Sequence, residues 1–260
     1  MAETPGSGKV RCRRAGARDR SPPVSTLLEG VLQEVDRTIV GLLERIRREG
    51  PPPRALLDVG CWDGSATERH ARALGCPAFG IEFFEARARE AEARGVTVAR
   101  LDLESAAFPW PDGSMDVVVS NQVFEHLKNV WQPMAEIHRV LKPRGWALLS
   151  VPNLASFHNR VMLALGWQPT SIRTFGPHVR GFTRREFERF VRFRDGFAIT
   201  KSLGVGFHPF PMPWSRPLAG LWPGGSHTLV VVARKTAGTG SPWGEHLARE
   251  TAQEVQTFYR

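Results

Sequence analysis

The feature that most constrains the fold of this 260-residue chain is a regular alternation of short apolar runs and helical segments, which begins at Arg54. Each apolar run ends in a turn and is followed by a segment with helical periodicity. This pattern predicts five strands, at residues 55–59, 78–81, 96–101, 115–120 and 146–151. Strands that alternate with helices form a parallel sheet with crossover helices on both faces. The sequence therefore predicts an α/β fold.

Composition and periodicity divide the rest of the chain. Residues 1–22 are basic and polar, which predicts a disordered tail, and a long apolar stripe predicts an N-terminal helix over residues 24–49. Two more strands are expected at residues 197–205 and 229–233, which gives one domain over residues 23–235 followed by a polar C-terminal tail at 236–260. Residues 153–182 and 206–225 have no clean period, and we expect them to be insertions on the substrate side.

The formal net charge of +9 raises the possibility of a nucleic-acid partner, because cationic proteins gain affinity for phosphate backbones by releasing counterions. Much of the excess lies within residues 1–22, and a short basic tail is more often a solvating segment than a specific binder. The three cysteines form no CxxC pair, and no apolar stretch is long enough for a membrane span. These features favour a cytoplasmic protein, and the histidines lack the spacing of a metal site.

A glycine-containing turn with an acid on the next strand is the main chemical signal. The first predicted strand runs into residues 58–64, with the sequence DVGCWDG, and Glu82 ends the second strand 22 positions after Gly60. An acid about 20 residues beyond such a turn can reach the hydroxyl pair of a ribose. Asp102 ends the third strand at the same edge. The turn lacks the GxGxxG spacing of dinucleotide sites, and Asp58 would repel a pyrophosphate, so a dinucleotide is excluded.

Further motifs carry a family resemblance. Residues 108–116 have the sequence FPWPDGSMD, residues 121–127 have NQVFEHL, and residues 136–145 have EIHRVLKPRG. Together with LLDVGCWDG, these motifs resemble those of class I S-adenosylmethionine-dependent methyltransferases, in particular the bacterial small-molecule groups called types 11 and 23. The resemblance spans roughly residues 55–155. It implies a Rossmann-like sheet of seven mostly parallel strands, with helices on both faces and an antiparallel last strand, and S-adenosylmethionine as the cofactor.

The resemblance also assigns cofactor contacts. Asp58 and the turn glycines would line the methionine side, and Glu82 would accept hydrogen bonds from the ribose hydroxyls. Asp102 would bind the adenine amino group, and Asn121 would border the sulfonium. The complete set of expected cofactor-binding residues is Asp58, Gly60, Cys61, Gly64, Glu82, Phe83, Asp102, Leu103 and Asn121.

Trp62 departs from the family pattern, because it stands where these methyltransferases usually have a third glycine. An indole at this position must point away from the methionine moiety, or it would block the cofactor. A relative that binds no cofactor therefore remains an alternative at this point.

The implied reaction is displacement of the sulfonium methyl by a nucleophilic atom of an acceptor. We expect a small molecule, a glycan or a lipid precursor as the acceptor, and oxygen as the acceptor atom. His126 follows the fourth strand and is the candidate general base, although a histidine that only holds the loop is an equal alternative. An RNA methyltransferase that uses the basic tail, and a cofactor-binding partner protein with little catalysis, also remain open.

Overall fold

A computed structural model of the protein describes residues 24–237 and 240–257, so the tail predicted at residues 1–22 lies outside the described residues. The helices in these ranges are α1 (Val24–Glu49), α2 (Ser65–Leu74), α3 (Glu85–Ala93), α4 (Trp131–Val140), α5 (Phe157–Ala164), α6 (Arg184–Val191), α7 (Met212–Leu221) and α8 (Pro242–Thr257). None of them is both long and apolar enough to cross a bilayer. The cytoplasmic location stays a prediction.

The strands form one seven-stranded sheet in the order β3-β2-β1-β4-β5-β7-β6. They are β1 (Leu56–Val59), β2 (Ala78–Ile81), β3 (Thr97–Ala99), β4 (Met115–Asn121), β5 (Leu141–Pro152), β6 (Phe197–Val205) and β7 (Thr228–Lys235). The first five strands pair in parallel, whereas β7 runs antiparallel to both β5 and β6. The predicted Rossmann-like sheet with an antiparallel last strand is therefore confirmed.

Two apolar layers cover the sheet. Side chains alternate along each strand, so Leu56 packs with the apolar stripe of α1, and Leu57 packs on the opposite face with α4. The α1 stripe includes Val35, Ile39 and Leu43, which are completely buried. This helix therefore belongs to the domain, as its periodicity predicts.

Two segments after β5 contain more helix than their sequences suggest. Residues 206–225 contain α7 in spite of five prolines, since Pro213 lies in its first turn, where a missing N–H is tolerated. The segment after Lys235, which was expected to be a polar tail, contains the 16-residue helix α8. The indole of Trp243 is fully buried and donates a hydrogen bond to the carbonyl of Phe190. One buried tryptophan thus anchors an otherwise polar helix to the domain.

Candidate active site

The carboxyl ends of β1, β2 and β4 meet at one edge of the sheet, which we call the rim. Val59 is in register with Ile81 on one side and with Ser120 on the other. The next residues along the three strands, Gly60, Glu82 and Asn121, therefore lie side by side. In open α/β sheets, ligands bind outside the carboxyl ends of the strands. The rim is the expected location for the cofactor.

The two predicted glycines of the turn after β1 are both required by the backbone. Gly60 and Gly64 have φ values of +79° and +77°, in the left-handed region that residues other than glycine rarely adopt. A Cβ atom at Gly64 would lie 2.7 Å from Cα of Ala91, in the buried face of α3. The turn is thus pressed against α3, with no room for a larger residue.

Cys61 lies inside this turn and packs beneath it. Its side chain is buried against Gly80 of β2, where an added Cβ would come within 2.6 Å of the sulfur. Burial raises the pKa of the Cys61 thiol, and the nearby Asp58 and Glu82 raise it further. The thiol therefore stays protonated and serves packing, not nucleophilic chemistry.

Glu82 presents an immobilised carboxylate at the rim. The residue is 6% exposed, and its Oε2 accepts a hydrogen bond from the backbone N–H of Trp62 at 3.0 Å. Its Oε1 accepts another from the N–H of Phe84 at 2.8 Å. A carboxylate oxygen can accept two hydrogen bonds, so each oxygen retains acceptor capacity. The fold has fixed the orientation of an acid that can still bind a pair of hydroxyls.

The indole of Trp62 lies outside the rim. It is 51% exposed, meets the ring of Phe84 edge-on at 6.2 Å, and has the guanidinium of Arg87 4.6 Å from its ring centroid. Phe83, next in sequence to Glu82, is 65% exposed. The side chain of Trp62 is therefore directed toward α3, and an uncovered phenyl ring flanks the Glu82 carboxylate.

The carboxylate of Asp58 faces the layer of α1 and α2. Its Oδ2 accepts a hydrogen bond from the hydroxyl of Thr67 at 2.7 Å and lies 3.5 Å from Nδ1 of His70. The other ring nitrogen of His70 lies 3.3 Å from Oδ1 of Asp36 on α1. Although burial opposes it, these two carboxylates raise the pKa of His70 to about 9. A buried imidazolium thus links α1 to the cofactor turn, a contact that could not be predicted from residue order alone.

The remaining predicted positions surround the rim. The carboxylate of Asp102 is exposed and accepts hydrogen bonds from the backbone N–H of Glu104 and the hydroxyl of Ser105. Leu103 is partly buried against the core. Oδ1 of Asn121 accepts a hydrogen bond from the hydroxyl of Ser150 on β5. Asp102 therefore shapes its own loop and leaves the outer side of its carboxylate open.

A cluster of Glu125, His126 and His178 lies beyond the end of β4. Nδ1 of His126 lies 3.3 Å from the carbonyl of Pro177, and Nδ1 of His178 lies 2.9 Å from the carbonyl of Ser171. Both carboxylate oxygens of Glu125 are buried and have no hydrogen-bond partner among the described residues. The sequence singled out His126, but it could not reveal that a loop from a distant segment brings His178 beside it.

The cluster has unusual protonation properties. Burial raises the pKa of Glu125 to about 8, so its carboxyl is protonated at neutral pH. Burial also lowers the pKa of His126, and His178 lowers it further. One potential ligand atom from each residue lies within 4.8 Å of the others, which a metal ion could also bridge. The sequence predicted no metal site, since this trio is assembled only by the fold.

Three other histidines stack together between the two insertion segments. The rings of His158 and His227 are nearly parallel at 5.6 Å, and the ring of His208 lies 5.0 Å from that of His227. Burial lowers the pKa of His158 to about 4 and that of His227 to about 3, and mutual repulsion adds to both shifts. The folded protein therefore holds these rings neutral.

We expect acid to destabilise the fold through these histidines. In the unfolded chain these histidines are protonated at about pH 6.5, the ordinary pKa of the side chain, whereas in the folded protein they stay neutral to lower pH. The free energy of unfolding therefore falls as the pH drops from 6.5 toward about 4. Urea unfolding at several pH values measures this loss. The double variant His158→Gln/His227→Gln should show a shallower pH dependence over the same range. An equally steep dependence in that variant would assign the acid sensitivity to other groups.

The sheet order and the acid-tipped strands at the rim define the class I methyltransferase fold, and comparisons with known proteins agree. A family of methyltransferase domains matches residues 31–201. A probable S-adenosylmethionine-dependent methyltransferase of Mycolicibacterium smegmatis is 30% identical over 199 residues, which cover 76% of this chain and 70% of that protein. The ubiquinone biosynthesis O-methyltransferase of Paramagnetospirillum magneticum is 28% identical over 183 residues, which cover 61% of this chain and 65% of that protein.

A solved structure shares the same fold. It is a methyltransferase of Thermotoga maritima, described as a possible histamine N-methyltransferase, which aligns with a TM-score of 0.56 at 19% identity and covers 82% of this chain and 96% of that one. The chain belongs to the family of S-adenosylmethionine-dependent methyltransferases. It is an enzyme whose cofactor is S-adenosylmethionine.

Proposed function

We propose that the enzyme transfers the methyl group of S-adenosylmethionine to an oxygen atom of a small, partly apolar acceptor. The observation that carries this proposal is the pairing of the Glu82 rim with the imidazole of His126 beyond the end of β4. One site fixes a ribose, and the other can remove a hydroxyl proton. Similarity to an O-methyltransferase of quinone biosynthesis also supports oxygen as the acceptor atom.

The residues at the rim suit the cofactor. Glu82 would accept hydrogen bonds from the two ribose hydroxyls, and the exposed ring of Phe83 would lie against the nucleoside. The turn around Gly60 and Gly64 would let the backbone approach the methionine part, next to Asn121 and above the packed Cys61. Asp102 and Leu103 would border the adenine. Asp58 would act from below through its charge, because its carboxylate is already bonded to Thr67.

His126 would act as the general base. The carbonyl of Pro177 can only accept a hydrogen bond, so the hydrogen of the neutral ring lies on Nδ1 and Nε2 keeps its lone pair. The lowered pKa keeps the imidazole neutral at physiological pH, ready to take a proton. When bound, S-adenosylmethionine supplies an electrophilic methyl group. The protein mainly positions the acceptor, removes its proton and excludes water.

The acceptor side is rich in exposed apolar side chains. They occur in both insertion segments, and the most exposed are Leu163, Leu165, Trp167, Phe175, Trp214 and Leu221. Uncovered apolar surface of this kind is typical of binding sites for apolar ligands or partners. It favours an acceptor with a hydrocarbon or aromatic part over a sugar. A lipid or quinone precursor fits this surface.

The replacement His126→Ala should lower turnover by roughly 10²–10⁴-fold, the usual contribution of a general base. Affinity for S-adenosylmethionine should not change, because His126 lies beyond the rim. Both quantities can be measured once an acceptor is found, by calorimetry for the cofactor and by isotope transfer for turnover. His178→Gln is the matched control, since it removes the neighbouring ring and keeps the base. Normal turnover of His126→Ala would remove the base role.

The acceptor is found by incubating the enzyme with isotope-labelled S-adenosylmethionine and a panel of phenols, hydroxyquinones and long-chain alcohols. Label in an O-methyl group supports the proposal. Label in nitrogen or in RNA would overturn it.

Repeating the assay after chelation adds a second test. If a divalent ion restores lost activity, the cluster of Glu125, His126 and His178 holds a metal and His126 is not the base.

A further inference from the structure

An open groove of about 960 Å³ runs along α6, apart from the Glu82 rim. This volume lies within the range of small-molecule binding sites. One acid, Glu188, lines it among six basic side chains. These are Arg160, Arg184, Arg185, Arg189, Arg192 and Arg194. We call this feature the arginine groove. Such an excess of positive charge in a concave surface attracts anions and raises their local concentration.

Internal ion pairs account for only part of this charge. Glu188 pairs with Arg184 at 2.8 Å and with Arg192 at 3.2 Å, and Arg194 pairs with Glu245 at 3.4 Å. The guanidinium of Arg160 covers the indole of Trp222. Two arginines, Arg185 and Arg189, remain outside these contacts.

Arg185 and Arg189 are exposed and have no ion-pair partner within residues 24–237 and 240–257. They are four residues apart on α6, so they lie on the same face of the helix, where like charges repel. Arg184 and Arg185 also occupy the first turn, where the helix dipole is already positive and disfavours cations. The arrangement is locally unfavourable for the protein alone. An anion bound in the groove would relieve both repulsions.

The groove reaches the acceptor side of the enzyme. Ala155 and Gly224 also line the groove. Both are hydrogen-bonded to the side chain of Asn153, which directly follows β5. Asn153 also pairs with Phe182, just before α6. A ligand could therefore extend from the carboxyl edge of the sheet down along α6.

We propose that the arginine groove binds a diphosphate or a pair of phosphates on the methyl acceptor. This inference rests on the proposed function, whose acceptor it specifies further. Guanidinium groups bind phosphate oxygens in pairs, and eight residues of α6 extend about 12 Å, more than a single carboxylate spans. Together with the apolar insertion segments, the groove points to an amphiphilic acceptor with a phosphorylated end.

The test uses inorganic pyrophosphate and the full-length protein. Calorimetry should show pyrophosphate binding that weakens with added salt. The double variant Arg185→Glu/Arg189→Glu should bind roughly tenfold more weakly or worse, since it loses two charge-assisted contacts. The matched control is Arg45→Glu/Arg72→Glu, which makes the same charge change at exposed helix positions outside the groove. This control should bind pyrophosphate like the wild type.

Each outcome has one meaning. If the wild type binds S-adenosylmethionine but no pyrophosphate, the groove proposal is wrong and the proposed function stands. Lack of cofactor binding would instead contradict the proposed function. If a single-stranded RNA binds more tightly than pyrophosphate through the same two arginines, the groove is a nucleic-acid surface and the proposal is overturned. Should the double variant fail to fold, the single variant Arg189→Gln replaces it, with the same expected direction.

Discussion

Replacing Glu82 with alanine or glutamine is expected to abolish measurable binding of S-adenosylmethionine while the protein stays folded. The carboxylate is already held by the N–H groups of Trp62 and Phe84, so no reorganisation is needed when two hydroxyls bind. Hydrogen bonds to a charged group each contribute about 1.5–3 kcal/mol. Loss of two such bonds weakens binding by about 3 kcal/mol or more, which is at least a hundredfold.

Glutamine makes the test sharper than alanine does. Its size matches that of Glu82, but one amide N–H₂ group must then face a backbone N–H that needs an acceptor. Calorimetric titration with the cofactor and with its demethylated product measures the effect, and circular dichroism checks the fold. Glu85→Gln, at an exposed acid in the first turn of α3, is the control and should leave affinity unchanged. Wild-type affinity in both Glu82 variants would refute the assignment of the rim.

Much of the sheet was predictable because β1, β4, β5 and β7 are buried on both faces over most of their length and therefore appear as apolar runs. The strand at residues 78–81 was predicted with the bounds that the structure has for β2. Helix α8 was harder to predict in full, since it is attached mainly by contacts near its start, above all by the buried indole of Trp243. Helix α7 was hidden by its prolines. Both helices depend on tertiary contacts that local periodicity does not record.

The candidate site was likewise predictable only where it follows directly from the order of the strands. Gly60 and Glu82 could be located from the sequence because each directly follows a strand, so chain order fixes their place at the rim, and Gly64 closes the same turn just before α2. The roles assigned to them stay predictions. His178 lies in a segment without periodicity, and the arginine groove combines α6 with residues of both insertion segments. Which of these side chains come together could be recognised only after folding.

His70→Leu is expected to cost about 3–5 kcal/mol of stability, because it leaves the buried carboxylate of Asp58 and the partly buried carboxylate of Asp36 without their shared cation. Asp36 lies on α1 and Asp58 begins the cofactor turn, so the loss should loosen both. Urea unfolding near pH 6.5 measures the free energy of unfolding. Arg69→Gln is the control: Arg69 also bonds to Asp36, but it is exposed, and such surface pairs contribute only about 0–1 kcal/mol.

The pH dependence separates a charged bridge from simple packing. The pKa of His70 is raised from 6.5 to about 9 by folding, so its contribution is complete below pH 6.5 and disappears as the pH rises through about 9. The stability of the wild type should therefore approach that of His70→Leu on the alkaline side, whereas Arg69→Gln should keep the wild-type dependence. A constant difference between wild type and His70→Leu across this range would mean that His70 fills space without carrying charge. In that case Asp58 would hold the cofactor turn through Thr67 alone.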